Sequence, residues 1–147
     1  MNYSVSKNGF SISTDKRKIN IPYVHNFLSH SYWAAGISIT LVKKAIKGSL
    51  CFAVYHHQDQ IGFARMITDS ATFAYLADVF IDEKYRGRGL SKWLIENIMS
   101  YPDLQGLRRI MLATKDAHSL YKKFGFTQLT NAERWMQIHN PDVYKNK

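Results

Sequence analysis

An apolar run, Ala74 to Ile81, leads into Tyr85-Arg86-Gly87-Arg88-Gly89-Leu90-Ser91 and then into an amphipathic stretch. This order constrains the fold more than any other feature of the chain. The run reads as a strand. Leu90, Trp93, Leu94, Ile98 and Tyr101 recur at helical spacing, so Gly89 to Tyr101 reads as a helix with one face on a core. Ile110 to Thr114 reads as a second, short buried strand. Strand, turn, helix, strand makes a right-handed crossover between two parallel strands. Ligands on such a sheet sit at the carboxyl ends of strands, where the helix N-terminus points at them. The glycine turn lies at that end. Its exposed amides and the partial positive charge of the helix start are ringed by Arg86, Arg88, Lys84 and Lys92. Together they suit a pyrophosphate or a phosphorylated cofactor. Taken alone, the seven residues also fit a plain glycine turn ahead of a basic, solvated helix.

The rest of the chain supplies a sheet and more helices around this unit. Phe10 to Thr14 alternates apolar and polar residues and reads as a first strand. Ile21 to Ser31 reads as a short helix with Pro22 in its first turn. Ser38 caps a second helix to about Lys47, which Gly48 ends. Leu50 to Tyr55 and Ile61 to Thr68 read as a hairpin joined through His56 to Gln60. Ala117 to Phe124 reads as a short helix capped by Asp116 and closed by Gly125. Phe126 to Leu129 and Arg134 to His139 read as two last strands, and Asn140 to Lys147 as a polar tail. One α/β domain over residues 1–147 follows, because this length suits a single core.

Charge and composition narrow the partners without choosing one. A net charge of +9 favours anions: a phosphorylated cofactor, an acidic protein, nucleic acid or an anionic surface. The basic residues are spread along the chain, with a modest concentration from Lys84 to Lys92 that a cofactor explains, so nucleic acid is not expected. No run approaches the ~20 apolar residues of a membrane span. The first residues carry no signal-peptide apolar region, and a cytoplasmic setting is expected. The lone Cys51 lies in an apolar run and reads as a buried, inert thiol. The six histidines do not sit at metal-ligand spacing, so no metal is expected.

The glycine turn is not a dinucleotide-binding fingerprint, because Lys92 stands where the third glycine belongs, and no Walker loop is present. Arg86-Gly87-Arg88-Gly89-Leu90-Ser91 instead resembles the Gln/Arg-x-x-Gly-x-Gly/Ala signature of the GNAT superfamily of acetyl-CoA-dependent N-acetyltransferases. Ser91 departs from its last position but is small and still offers its amide. Ala117-His118-Ser119-Leu120-Tyr121-Lys122-Lys123-Phe124-Gly125-Phe126 is similar to the segment that ends that family's cofactor-binding half. The resemblance covers about residues 50 to 130, and the N-terminal third agrees in element order.

The resemblance implies a mixed, mostly antiparallel twisted sheet of about seven strands flanked by about four helices. Its fourth and fifth strands, Ala74–Ile81 and Ile110–Thr114, are expected to splay into a V that holds acetyl-CoA. It implies that Val79, Phe80 and Ile81 offer their backbone to the pantetheine arm, and that an amide near Val79 or Phe80 serves the oxyanion. Amides from Gly87 through Leu90 to Ser91 would hold the pyrophosphate, with Arg86, Arg88 and Lys92 beside it. Lys122 or Lys123 would reach a ribose phosphate or remain surface charge. The matching tyrosine, Tyr121, is the implied general acid: a phenol is protonated at neutral pH and can donate to a departing thiolate.

Asp78 interrupts an apolar strand, and a lone buried carboxylate needs a partner or a task. It reads equally as an aid to deprotonating the acceptor amine and as a salt bridge to an arginine such as Arg65. Tyr32, Trp33 and, further on, Phe73 and Tyr75 are candidates for the acceptor side or for core packing. Asp69, in the loop before the fourth strand, is a candidate to attract a cationic amine. The expected function is acetyl transfer from acetyl-CoA to a primary amine, on a small molecule or a peptide, by direct attack in a ternary complex. A non-catalytic acyl-CoA sensor and a basic nucleic-acid-binding module are the alternatives. A homodimer is compatible with the sequence.

Overall fold

A computed structural model of the chain describes residues 2–145. The last two residues of the expected polar tail lie outside the described residues. The sheet has six strands in chain order: β1 (Ser4–Lys7), β2 (Phe10–Ser13), β3 (Leu50–His56), β4 (Asp59–Thr68), β5 (Phe73–Ile81) and β6 (Arg109–Leu112). Every neighbouring pair is antiparallel except β5 and β6, which run parallel. Four α-helices flank it: α1 (Ile21–Ser29), α2 (Ile39–Lys47), α3 (Leu90–Met99) and α4 (His118–Lys122).

Local chemistry sets the boundaries. Asn8 and Gly9 both take positive φ (54° and 84°), the two-residue turn that joins β1 to β2. The Asn-Gly pair signals this hairpin, and the sequence reading above passed over it, so β1 is an addition to the expected set. Ser38 Oγ accepts the Leu41 N–H at 3.2 Å and caps α2, as expected, and Gly48 follows its last turn. Asn20 caps α1 by accepting the Tyr23 N–H at 3.1 Å. Asp116 does not cap α4. Thr114 Oγ1 instead accepts the Ala117 N–H at 3.1 Å, and α4 starts after Ala117.

The sheet separates two cores. On one face, Phe52, Ala64, Met66 and Leu76 meet Leu94, Ile95 and Ile98 of α3. On the other, Ala53, Phe63 and Phe80 meet Val24 and Leu28 of α1 and Val42 and Ile46 of α2. Cys51 is buried in this second core, where burial pushes its thiol up to about 11, so the thiolate is disfavoured.

Among the described residues two of the expected strands are absent and β1 is added, which corrects the count from seven to six. Phe126–Leu129 and Arg134–His139 form no strand among the described residues. Asn131 turns the chain with φ 57°, a short 3₁₀ turn follows at Ala132–Arg134, and neither segment finds a neighbour to pair with. A strand without a partner gains no ladder hydrogen bonds and does not persist. No helix of the described chain is long and apolar enough to cross a membrane.

Candidate active site

The site is built where β5 and β6 part. Their register runs from Phe73↔Arg109 to Leu76↔Leu112 and stops there. β5 continues to Ile81, paired only with β4. The backbone edge from Ala77 to Ile81 therefore faces an opening, the V expected between these strands.

A β-bulge shapes that edge. Arg65 lies opposite Ala77 and Phe63 opposite Phe80, so Asp78 and Val79 together oppose Ala64. Asp78 takes φ 56°, a left-handed conformation rare for a residue with a side chain. Such bulges drop one residue from the ladder and re-aim side chains, often beside active sites. Gly62 lies next to this distortion. A Cβ there would sit 2.7 Å from Ile81 Cδ1 and 2.9 Å from the Phe80 carbonyl, so only glycine lets β4 approach the end of β5.

The glycine turn stands at the mouth of the V. Gly87 and Gly89 have φ of 79° and 77°, and nothing lies within 4 Å of where a Cβ would be on either. Gly89 occupies the cap position of α3 without a side-chain cap. The first helical hydrogen bond runs from Trp93 N–H to the Gly89 carbonyl at 3.0 Å, which leaves the first-turn amides of Leu90, Ser91 and Lys92 without helical acceptors. A cup of about 120 Å³ opens there, lined by Ile81, Tyr85, Arg86, Gly87, Gly89, Leu90 and Ser91. These residues have the free amides, the helix end and the positive charge that a pyrophosphate needs.

The turn is braced from below. Arg86 Nε donates to the Ile81 carbonyl at 3.2 Å and ties the turn to the end of β5. Arg88 stacks over the Tyr85 ring at 5.4 Å. The Tyr85 hydroxyl meets His56 Nδ1 at 3.0 Å, and His56 stacks on Phe10. The contact between Tyr85 and His56 has no signal in the sequence. The aromatic pairing follows only from folding β2 and β3 beneath the turn. Lys92, Lys122 and Lys123 are exposed.

Asp78 forms the salt bridge to Arg65 that was one of its two readings. Arg65 Nε donates to Oδ2 at 2.5 Å, and a second arginine nitrogen donates to Ser49 Oγ at 3.0 Å. Trp33 Nε1 donates to Oδ1 at 2.8 Å. The carboxylate is thus paired and also reaches the loop between α1 and α2. Tyr32 packs edge-on against Trp33 with ring centres 5.0 Å apart, and Lys115 Nζ lies 5.3 Å from the Tyr32 ring centre. Both aromatic rings stay substantially exposed, 61% for Tyr32 and 41% for Trp33.

Tyr121 is buried within α4, with its ring edge-on to Phe126. Burial, and secondarily the nearby Tyr32 phenol, push its hydroxyl up to about 12. Tyr32, Trp33 and Asp78, up to 46 residues apart in sequence, are linked by these contacts, whereas Tyr121 packs in the core on the α3 side of the sheet.

Not every candidate joins them. The Phe80 side chain turns away and stacks on Phe27 at 3.8 Å, leaving only its backbone for the V. Tyr75 is half-buried opposite Met111, and Phe73 is exposed at the start of β5, below the split. Asp69 is spent on its own loop. It accepts the N–H groups of Ala71, Thr72 and Phe73 and the Thr72 hydroxyl, and these bonds hold its carboxyl well below the usual range.

The sequence pattern of the acetyltransferase (GNAT) domain matches residues 47–128. A crystal structure from Xanthomonas campestris pv. campestris, provisionally assigned to the GNAT family, is 45% identical with a TM-score of 0.91, over 95% of this chain and 99% of that one. A Gibberella zeae protein, provisionally named an acetyltransferase, is 29% identical over 141 residues, covering 80% of this chain and 78% of that protein. The thialysine N-ε-acetyltransferase of Bos taurus is 34% identical over 65 residues, 42% of this chain and 38% of its own.

These matches define the class as acetyltransferases. The chain belongs to the GNAT acetyltransferase family.

Proposed function

We propose that the chain transfers the acetyl group of acetyl-CoA to a primary amine by direct attack in a ternary complex. The observation that carries this reading is the open edge of β5 beyond Leu76, with the glycine cup at its mouth and the Asp78–Trp33–Tyr32 contacts beside it. Amides of Gly87 to Lys92 hold the diphosphate, with Arg86, Arg88 and Lys92 near it, and Lys123 reaches the ribose phosphate. The open edge of Val79, Phe80 and Ile81 pairs with the pantetheine arm, and an amide of the bulge faces the thioester oxygen.

The acceptor nitrogen attacks the thioester carbon, the C–S bond breaks, and the sulfur leaves with the electron pair. Tyr121 stays protonated at neutral pH and donates to that sulfur. Burial makes the phenol a weaker acid that keeps its proton until the thiolate forms, and Tyr121 regains a proton from the new amide nitrogen through water. Asp78 orients the incoming ammonium and relays its proton to water. A carboxylate has about four lone-pair positions, and Arg65 and Trp33 engage two. Exposed Tyr32 and Trp33 border the acceptor. The name of the thialysine acetyltransferase, an enzyme that acts on a side-chain amine, supports an amine acceptor.

The test is thiol release from acetyl-CoA across a panel of polyamines, amino acids, aminoglycosides and lysine peptides. Amine-dependent release supports the proposal. Acetyl-CoA binding without release for any amine would point to a sensor.

A further inference from the structure

Two loops meet across the V. One joins α1 to α2 and carries Tyr32 and Trp33; the other follows β6 and carries Lys115. Trp33 bonds to Asp78 of β5, Tyr32 packs on Trp33, and Lys115 Nζ lies 5.3 Å from the Tyr32 ring centre. A continuous line of four side chains therefore runs from the β5 limb to the β6 limb, with a carboxylate at one end and an ammonium at the other. Thr114 Oγ1 accepts the Ala117 N–H at 3.1 Å and fixes the loop on both sides of Lys115. A lysine is otherwise a flexible point charge, and the face of Tyr32 gives this one a preferred position.

The two ends are not equivalent. Arg65 already matches the Asp78 carboxylate, so that end carries no net charge. Lys115 is exposed and makes no salt bridge among the described residues. An ammonium has three N–H donors, and the Tyr32 ring covers only one side of it, so donors remain for an anion. Carboxylates that could balance this charge are engaged elsewhere or stay apart. Asp69 is held by its own loop, and Asp82 accepts from the Tyr23 hydroxyl at 3.0 Å and the Lys84 N–H at 3.1 Å. Asp116, next in sequence, forms no ion pair among the described residues. The whole chain, at +9, repels a polycation and attracts an anion.

We infer that the acceptor amine also carries a carboxylate, set apart from the reacting nitrogen by a short carbon chain, and that Lys115 selects it. This rests on the proposed amine acetylation and narrows its substrate class. The amine end lies at Asp78, the carboxylate at Lys115, and the chain between them runs along the exposed rings of Trp33 and Tyr32. Diamines and polyamines are the disfavoured class, because their second ammonium would meet Lys115. Ion contacts at exposed positions are modest, so the selection is expected at about fivefold.

Three amines built on one carbon chain separate charge from shape: ε-aminocaproate ends in a carboxylate, pentylamine in a methyl group and cadaverine in a second ammonium. Their dissociation constants from the full chain loaded with CoA can be read from the Trp33 indole N–H resonance. Binding should weaken in that order, with about fivefold or more between the two charged ends. Lys115→Glu should reverse the preference between ε-aminocaproate and cadaverine. Cadaverine binding as tightly as ε-aminocaproate overturns the inference. So does an order that Lys115→Glu leaves as it was, or no saturable binding of any of the three at millimolar concentration. If the variant misfolds, the order in the unmodified chain decides. Acetyl transfer to the same amines keeps the two readings apart. Binding in the expected order without transfer would refute the proposed activity and leave the carboxylate site standing. Transfer that favours cadaverine would support the activity and refute the site.

Discussion

Trp33 Nε1 donates to Asp78 Oδ1 at 2.8 Å, joining the loop after α1 to a bulged residue of β5 45 positions away. The same carboxylate is clasped from the other side by Arg65. One aspartate therefore locks the loop between α1 and α2 to the strand that borders the V. Trp33→Phe keeps the ring but removes the donor. Because the lost bond is to a charged group, the KM for the acceptor should rise about tenfold or more. The KM for acetyl-CoA should stay within about twofold. Steady-state kinetics in each substrate separates the two.

Asp78→Asn strips the charge from a mostly buried pair, in which the side chains are 17% (Arg65) and 9% (Asp78) exposed. Removing one partner leaves the other uncompensated. Arg65 keeps Ser49 and some solvent, so the loss belongs at the low end, about 3 kcal/mol. The Tm should fall by about 6–12 °C in a calorimetric scan. A Tm unchanged within error would show that the pair contributes nothing.

Tyr121→Phe should lower kcat by about 10²- to 10⁴-fold with little change in the KM for acetyl-CoA. The pH profile gives the sign. A phenol raised to about 12 stays protonated up to that pH, so no alkaline fall in kcat should arise from Tyr121 below about pH 10. The rate should instead climb with pH as the acceptor amine loses its proton. For the fold, the raised value means that Tyr121 contributes its stabilisation fully below its unfolded pKa, near 10, and loses it as pH rises towards 12. A kcat for Tyr121→Phe within about twofold of the unmodified chain would contradict the assignment.

Gly62→Ala tests the packing beneath the site. The new methyl group would meet the Phe80 carbonyl and Ile81 Cδ1 inside ordinary contact distance. Overpacking of this kind costs about 1–3 kcal/mol, a Tm drop of about 2–12 °C. Because Ile81 also lines the glycine cup, acetyl-CoA binding should weaken together with the fold.

The sequence made the cofactor side readable because its elements are local. Strand, glycine turn and helix are consecutive, and Gly87 and Gly89 announce their own backbone conformation. Asp78 stood out as a charge within an apolar run, and Arg65 was named as its partner. What could not be read depends on contacts between distant segments. Trp33 meets Asp78 only once α1 is packed on the sheet, and Tyr85 rests on His56 only once β2 and β3 lie beneath the turn. The bulge at Asp78 has no glycine to mark it. Phe126–Leu129 and Arg134–His139 have strand-like residues, but pairing depends on a neighbour, and a single chain offers none.

The central claim is that first-turn amides of α3 hold the diphosphate of acetyl-CoA while the thioester lies along the open edge of β5. Titrating the ¹⁵N-labelled protein with acetyl-CoA and following each backbone amide by NMR tests it most directly. The largest shifts should fall on Gly87 to Lys92 and on Ala77 to Ile81. Saturable binding that leaves those amides unmoved, or no binding at millimolar acetyl-CoA, would contradict it.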